Sequence, residues 1–159
     1  EKKMKISDDY DIIINCTGLG SRQLLSDNKV SPIRGQVIRV RAPSVKHFFT
    51  DDEFYCLLNR DVVILGGTHD EGEWDTTPSM ETAQYILDGN IKNIPELKSA
   101  EIISHHVGLR PFRECLRLDK EIIKNNGKET IIIHNYGHGG SGITLFWGSA
   151  LHVIHLLSN

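Results

Sequence analysis

One segment constrains this chain more than any other: Ile131-Ile132-Ile133-His134-Asn135-Tyr136-Gly137-His138-Gly139-Gly140-Ser141-Gly142-Ile143-Thr144. A β-branched apolar run enters a loop with glycine at 137, 139, 140 and 142, then leaves into a helical stretch. Strand, tight loop and helix in that order set a helix against a sheet, so the fold must mix α and β. Glycine lets backbone N–H groups approach a ligand, because no Cβ stands in the way. The helix start adds positive partial charge. A phosphate, a carboxylate or a flavin that becomes anionic would each be stabilised there. No Gly-Lys-Ser/Thr follows the glycines, which disfavours a P-loop. Gly137, Gly139 and Gly142 match dinucleotide-binding spacing, but no acidic residue lies about 20 positions on. A tight strand–helix connection without a ligand is the plainer alternative.

The rest of the chain supplies the matching elements. Ile12-Ile13-Ile14 reads as a buried strand, followed by the turn Thr17-Gly18-Leu19-Gly20-Ser21. Val37 to Val40 reads as a strand stopped by Pro43, Phe48 to Leu58 as strand around an acidic turn, and Val62 to Leu65 as a strand. Thr77-Pro78 predicts a helix start, Met80, Ala83, Ile86 and Leu87 its apolar face, and Gly89 its stop. Glu101 to Leu109 and Thr130 to His134 read as strands, and Leu145 to Leu157 as a helix apolar enough to be buried. The expected class is α/β (α+β). Hydrophobic residues at 39% and charged residues at 25% fit a globular domain. The net charge of -3, from 18 basic and 21 acidic residues, does not suit a nucleic-acid module. No uninterrupted apolar run reaches the roughly 18 residues of a membrane span. The 3 cysteines are widely spaced, which suits a reducing compartment.

Other residues carry weaker chemical signals. Val107-Gly108-Leu109-Arg110-Pro111 places an arginine at a strand end, before a proline expected to end pairing. Its planar fork can hold a carboxylate by two parallel hydrogen bonds, or can simply be solvated. Thr17-Gly18 is a turn that could approach a ligand. Tyr55 reads as a core tyrosine whose hydroxyl could reach one. Cys16 reads as a small buried hydrophobe. No metal site is read. His152 and His155 lack a further partner, His105 and His106 point to opposite faces of a strand, and Asp70-Glu71-Glu73-Asp75 reads as a solvated loop.

The ordered set of these segments resembles the FAD-dependent D-amino-acid oxidases, including D-aspartate oxidase. The matching stretches are Asn15-Cys16-Thr17-Gly18, Arg34-Gly35-Gln36, Leu65-Gly66-Gly67-Thr68 with Gly72-Glu73-Trp74, Val107 to Pro111 with Arg117-Leu118, and His134 to Gly140 with Trp147-Gly148. They resemble the C-terminal half of the family, without the glycine-rich loop that holds the FAD pyrophosphate. The opening at Glu1 and the ending directly behind an apolar helix are read as those of part of a larger protein. The resemblance implies a split FAD-binding, Rossmann-like domain over 1–30 and 126–159, and an antiparallel-sheet substrate domain over 31–125. It implies that Arg110 clamps the substrate α-carboxylate, that Tyr55 hydrogen-bonds the same carboxylate, and that Gly140 offers its carbonyl to the amino group. Thr17, Arg110, Gly139, Gly140, Ser141, Gly142 and Thr144 would contact FAD. The reaction implied converts a D-amino acid and dioxygen to a 2-oxo acid, ammonia and hydrogen peroxide. Orientation is the protein's main share, and the flavin carries the difficult step.

Gly67-Thr68, Gly72-Glu73-Trp74 and Val107 to Arg110 resemble D-aspartate oxidase more closely, so D-aspartate and D-glutamate are the expected substrates. In the resemblance, D-aspartate oxidases use an arginine directly after Gly-Gly-Thr. Here His69 stands in that place and can bind an acidic side chain only when protonated or as a donor. Asp51 would repel such a substrate if it faced the pocket. Gly139-Gly140-Ser141-Gly142 is closer to the enzymes of neutral D-amino acids, the alternative substrates. A catalytically inactive fragment or binding relative is a second alternative, and the isolated chain is expected to be inactive. An oxidase of glycine or secondary amines is a third, one that lacks the Arg110 context. Neither nucleic acid nor membrane is an expected partner, and a homo-oligomer is open. Peroxisomal localisation follows by family analogy, cytoplasmic otherwise, although Leu157-Ser158-Asn159 is no peroxisomal tripeptide.

Overall fold

The computed structural model describes residues 10–125 and 127–158. The chain divides into two compact units, one formed by the chain up to Ile33 and from Arg110 onward, the other by Arg34–Leu109.

In the first unit β1 (Ile12–Asn15) leads through the Thr17-Gly18 turn into the short helix α1 (Gly20–Leu24). The strand β2 (Val30–Arg41) then carries the chain into the second unit, and β7 (Glu101–Asn125) brings it back. β8 (Lys128–His138) lies between β1 and β7. It pairs parallel with β1, Ile12 opposite Ile131 and Asn15 opposite His134. It pairs antiparallel with β7, Lys128 opposite Asn125 and Tyr136 opposite Arg117. A central strand covered on both faces needs a continuous apolar run. Accordingly Ile132 and Ile133 are wholly buried, and so are His134 and Tyr136. β7 does not stop at Pro111: it runs on, and its register on β8 shifts between Phe112 and Arg117, where a bulge takes up the irregularity.

A 3₁₀ turn (Gly139–Ser141) joins β8 to the helix Gly142–Ser158, which starts earlier than its apolar pattern predicts. Its expected burial is not found. Only Ser149 and Val153 are buried, while Ile143 is 87% and Trp147 67% exposed. β1 likewise forms as expected but leaves Ile12 and Ile14 about half exposed. Apolar periodicity predicts the element, whereas burial needs a covering layer, and the described residues supply none on these faces. Gly139–Ser158 is also long and apolar enough, by length and composition, to cross a membrane. Counting uninterrupted apolar residues missed this because Ser149, His152 and His155 interrupt the run. Core helices of soluble proteins pass the same test.

The second unit is an antiparallel sheet in the order β7, β2, β5 (Val63–Gly66), β4 (Tyr55–Leu58), β3 (Phe49–Thr50), with β6 (Asp70–Glu71) on β2. Helix α2 (Met80–Asn93) packs Ala83 and Ile86 onto Ile38, Val40, Cys56 and Leu65, and Leu97 from the 3₁₀ turn Pro95–Ser99 completes the core. Each fully buried Ile or Leu contributes roughly 1.5–3 kcal/mol. The helix Gly142–Ser158 that follows β8 is α3.

Two expectations about α2 change. The cap is Ser79, not Thr77: its Oγ accepts from Thr82 N at 3.2 Å. Thr77 is drawn off by its carbonyl, which accepts from Arg34 at 2.8 Å. The helix also passes through Gly89 to Asn93. Gly89 is a close-approach residue, because a Cβ there would fall inside the Phe54 ring.

Candidate active site

In the first unit, three separate sequence signals meet along one stretch of β7. A Cβ built on Gly18 would lie 3.3 Å from Pro111 Cβ, and Gly18 has φ +54°, so the Thr17 turn presses on Pro111 in a conformation that suits glycine. A Cβ on Gly140 would lie 3.6 Å from Arg110 Cδ, and one on Gly139 would lie 3.3 Å from Phe112 Cδ2. Arg110-Pro111-Phe112 is therefore laced to both glycine turns, and the stem of Arg110 runs along Gly140. Gly142, which opens α3, has nothing within 4 Å of its Cβ position. Gly140, Ser141 and Thr144 are exposed, as is Thr17. The start of α3 thus offers open backbone beside a cation.

Polar side chains brace these turns. Asn15 Oδ1 accepts from Thr17 N at 3.2 Å and from Thr17 Oγ1 at 2.8 Å. His138 reaches Ser149 Oγ at 3.2 Å and ties the loop to α3. A bend in β8 passes close over Arg113, whose Cβ is 2.6 Å from the Cβ position of Gly137 at φ +97°. Arg113 Nε and the Tyr136 hydroxyl both donate to Asp27 Oδ2, at 3.0 and 2.8 Å. Burial pushes the Asp27 carboxyl up, but the hydrogen bonds from Tyr136, Lys29 N and Arg113, with the Arg113 charge, outweigh it and hold it below 3.8. Burial likewise raises the Tyr136 phenol. Asn15, Ser21, Asp27, Arg113, His134 and Tyr136 were not assigned site roles by their sequence context. The available signals were polar residues ending or interrupting an apolar strand run, and a serine four residues after Thr17.

In the second unit, Tyr55 opens β4 opposite Gly66. Its ring packs against the Gly66-Gly67 backbone: a Cβ on Gly66 would enter the ring, and one on Gly67 would lie 2.9 Å from the hydroxyl. Bulk at either glycine would displace Tyr55. His69, two residues beyond Gly67, is exposed, and its Nε2 lies 3.9 Å from Glu71 Oε1. Asp51 is committed to its own turn: its Oδ1 accepts from Glu53 N at 2.8 Å and Phe54 N at 2.6 Å, its Oδ2 from Asn93 at 3.1 Å. Those backbone hydrogen bonds hold its carboxyl below the ordinary value. Tyr85 donates to Glu53, so the turn is tied to α2 twice. Arg34-Gly35-Gln36 is a structural clasp. Buried Arg34 donates to Asp70 at 3.0 Å and to the carbonyls of Asp75 and Thr77, which takes Asp70 out of the expected solvated loop. Gln36 in turn donates to the Ser79 carbonyl at 2.7 Å.

Cys16 is exposed, contrary to its reading as a buried hydrophobe; it sits where β1 passes into the turn. Buried Cys56 has its thiol pushed up by desolvation. Among the described residues, no three His, Cys, Asp or Glu side chains group to hold a metal ion.

The donor set fits FAD. Cβ-free backbone at Gly140 and Gly142, open space at Gly142 and the N-terminus of α3 suit a planar ring that gains negative charge on reduction, and the exposed Thr17 side chain adds a polar contact. Comparisons with known proteins agree. The D-amino acid oxidase of Dugesia ryukyuensis is 47% identical over 153 residues, covering 94% of this chain and 46% of that protein. The D-aspartate oxidase of Homo sapiens is 42% identical over 151 residues, covering 94% of this chain and 44% of that protein. The chain thus spans about half the length of the curated relatives it matches. Glycine oxidase from Bacillus cereus shares the fold, with a TM-score of 0.82 at 22% identity, over 99% of this chain and 49% of that one. The profile of the FAD dependent oxidoreductase family DAO matches residues 2–156, and with motifs, fold and relatives in agreement, the chain belongs to that family.

Proposed function

We propose that this chain forms part of an FAD-dependent oxidase that deaminates D-amino acids, with D-aspartate and D-glutamate favoured. The observation that carries this reading is the packing of the Arg110 stem along Gly140, 3.6 Å from its Cβ position, with Pro111 against Gly18. Thr17, Arg110, Gly139, Gly140, Ser141, Gly142 and Thr144 would hold the cofactor. When bound, FAD would supply the two-electron chemistry, with capacity for a hydride from the substrate Cα and, on reoxidation by dioxygen, release of hydrogen peroxide.

The chain's own residues bind and orient. The Arg110 guanidinium takes the α-carboxylate through two charge-assisted hydrogen bonds. The Gly140 carbonyl accepts from the amino group. With both groups held, the Cα–H has one direction left to point, and that fixed geometry is the main catalytic contribution. Tyr55 supplies a phenolic donor to the substrate. The oxidised product is an imino acid, which water converts to the 2-oxo acid and ammonia. The start of α3 favours negative charge near Gly142.

Asp51 spends its carboxylate oxygens on Glu53 N, Phe54 N and Asn93, which supports a reading in which it does not turn toward an acidic side chain. His69 supplies its donor, moderated by Glu71 at 3.9 Å. That same neighbouring carboxylate favours the second reading, an oxidase of neutral D-amino acids. The test measures peroxide release by the intact protein with D-aspartate, D-alanine and glycine side by side. A preference for D-aspartate is expected, preference for D-alanine supports the second reading, and glycine alone refutes both. Arg110→Leu should lower kcat/KM for every D-amino acid by about 10²–10³-fold while leaving flavin bound. Retained turnover would remove Arg110 from the site.

A further inference from the structure

The hydrogen bonds behind the Thr17 turn have a direction that can be worked out atom by atom. The Thr17 backbone N–H can only donate, so the Asn15 atom 3.2 Å away is its carbonyl oxygen. That orientation puts the Asn15 amide nitrogen 3.1 Å from His134 Nδ1. An amide N–H₂ only donates, so Nδ1 must accept, and the ring proton sits on Nε2. His134 Nε2 lies 3.1 Å from Glu121 Oε2, an acceptor waiting for that proton. The other branch is equally determined. The Thr17 hydroxyl donates to Asn15 Oδ1 at 2.8 Å. Its contact with Ser21 Oγ at 2.7 Å must therefore run from Ser21 to Thr17. Ser21 Oγ in turn accepts from Asn15 Nδ2 at 3.4 Å.

Asn15, Ser21 and His134 are buried while Thr17 is exposed. The threonine hydroxyl has spent its proton inward, and what it turns outward is a lone pair. The surroundings of His134 keep this order. Glu121 and the Arg117 that pairs with it at 3.0 Å lie at Nε2, the Tyr136 ring stands edge-on at 5.9 Å, and Asp119 is the residue opposite on β7. Among the described residues, the polar contact at Nδ1 is Asn15. A proton there would point at the Asn15 N–H₂ and force the amide over, setting it against Thr17 N–H.

We propose that His134 is a positioning residue: fixed as the Nε2–H tautomer, it orients Asn15 so that Thr17 Oγ1 meets an N–H or O–H donor of FAD as an acceptor. The role toward FAD rests on the proposed function; the tautomer does not. Two measurements on the intact protein test it. In histidine ¹⁵N spectra at pH 8, His134 should show an unprotonated Nδ1 and a protonated Nε2. The opposite tautomer overturns the proposal, whatever the protein oxidises. The FAD dissociation constant, read from flavin fluorescence, should rise about tenfold or more in His134→Leu, which leaves the Asn15 amide unpartnered. His134→Gln, whose side chain offers an acceptor and a donor at similar spacing, should return it to within about threefold. Unchanged affinity in the Leu variant, or a folded Gln variant as weak as the Leu one, refutes positioning. Absence of FAD binding by the unaltered protein sinks the proposed function instead.

Discussion

Gly89→Ala sets two effects of opposite sign against each other. In a helix interior, alanine is favoured over glycine by about 1 kcal/mol, and Gly89 lies four residues inside the end of α2. The added Cβ, however, falls inside the Phe54 ring. Phe54 has little room to yield: it is 8% exposed, and its ring centroid lies 5.1 Å from that of Tyr85. Overpacking of this kind costs about 1–3 kcal/mol, and expelling the ring forfeits a similar amount of burial. Packing should win, for a net loss of up to about 2 kcal/mol. Urea unfolding of the intact protein measures this. Because Phe54 precedes Tyr55 in the chain, the variant should also raise KM with less effect on kcat. In a Phe54→Leu background the steric term shrinks, and Gly89→Ala should become neutral or stabilising. A single Gly89→Ala variant as stable as the unaltered protein, or more so, would show that Gly89 is not held by Phe54.

Three further outcomes follow from the same contacts. Ser79→Ala should cost about 1 kcal/mol in urea unfolding, the usual loss for an N-cap; no loss would return the cap to another residue. Asp27→Asn should destabilise the protein near neutral pH. The Asp27 carboxyl sits below its ordinary 3.8, so its stabilising share is fully present above that value and lost as pH falls through the lower folded one. The gap between variant and unaltered protein should close in acid; a gap independent of pH would remove the ionised carboxylate from the account. His69→Arg should raise activity on D-aspartate relative to D-alanine, since a permanent charge replaces a conditional one. An unchanged ratio would show that position 69 does not set selectivity.

Local rules and long-range rules divide this chain cleanly. The Ile131-Ile132-Ile133 run, the glycines after it and the apolar stripe of α2 announced their elements because side-chain period and glycine sterics act within a few residues. Gly89 misled for the same reason. A glycine that ends a helix and one that admits an aromatic ring look alike until Phe54, brought in by the β4 turn, is in place. Thr77 lost the cap because Arg34, 43 residues away in sequence, claims its carbonyl. α3 looked like a core helix because hydropathy reports what a surface prefers, not whether another surface meets it.

By itself the sequence determined a mixed α/β chain, a glycine-rich strand–helix turn, an arginine before a proline, and the family those motifs resemble. Tertiary structure alone decided that Gly18, Gly139 and Gly140 close on the three consecutive residues Arg110, Pro111 and Phe112. It alone placed His134 between Asn15 and Glu121. Strand register joins residues more than a hundred positions apart, and the direction of a hydrogen bond depends on which donor faces which acceptor. No short-range pattern carries either.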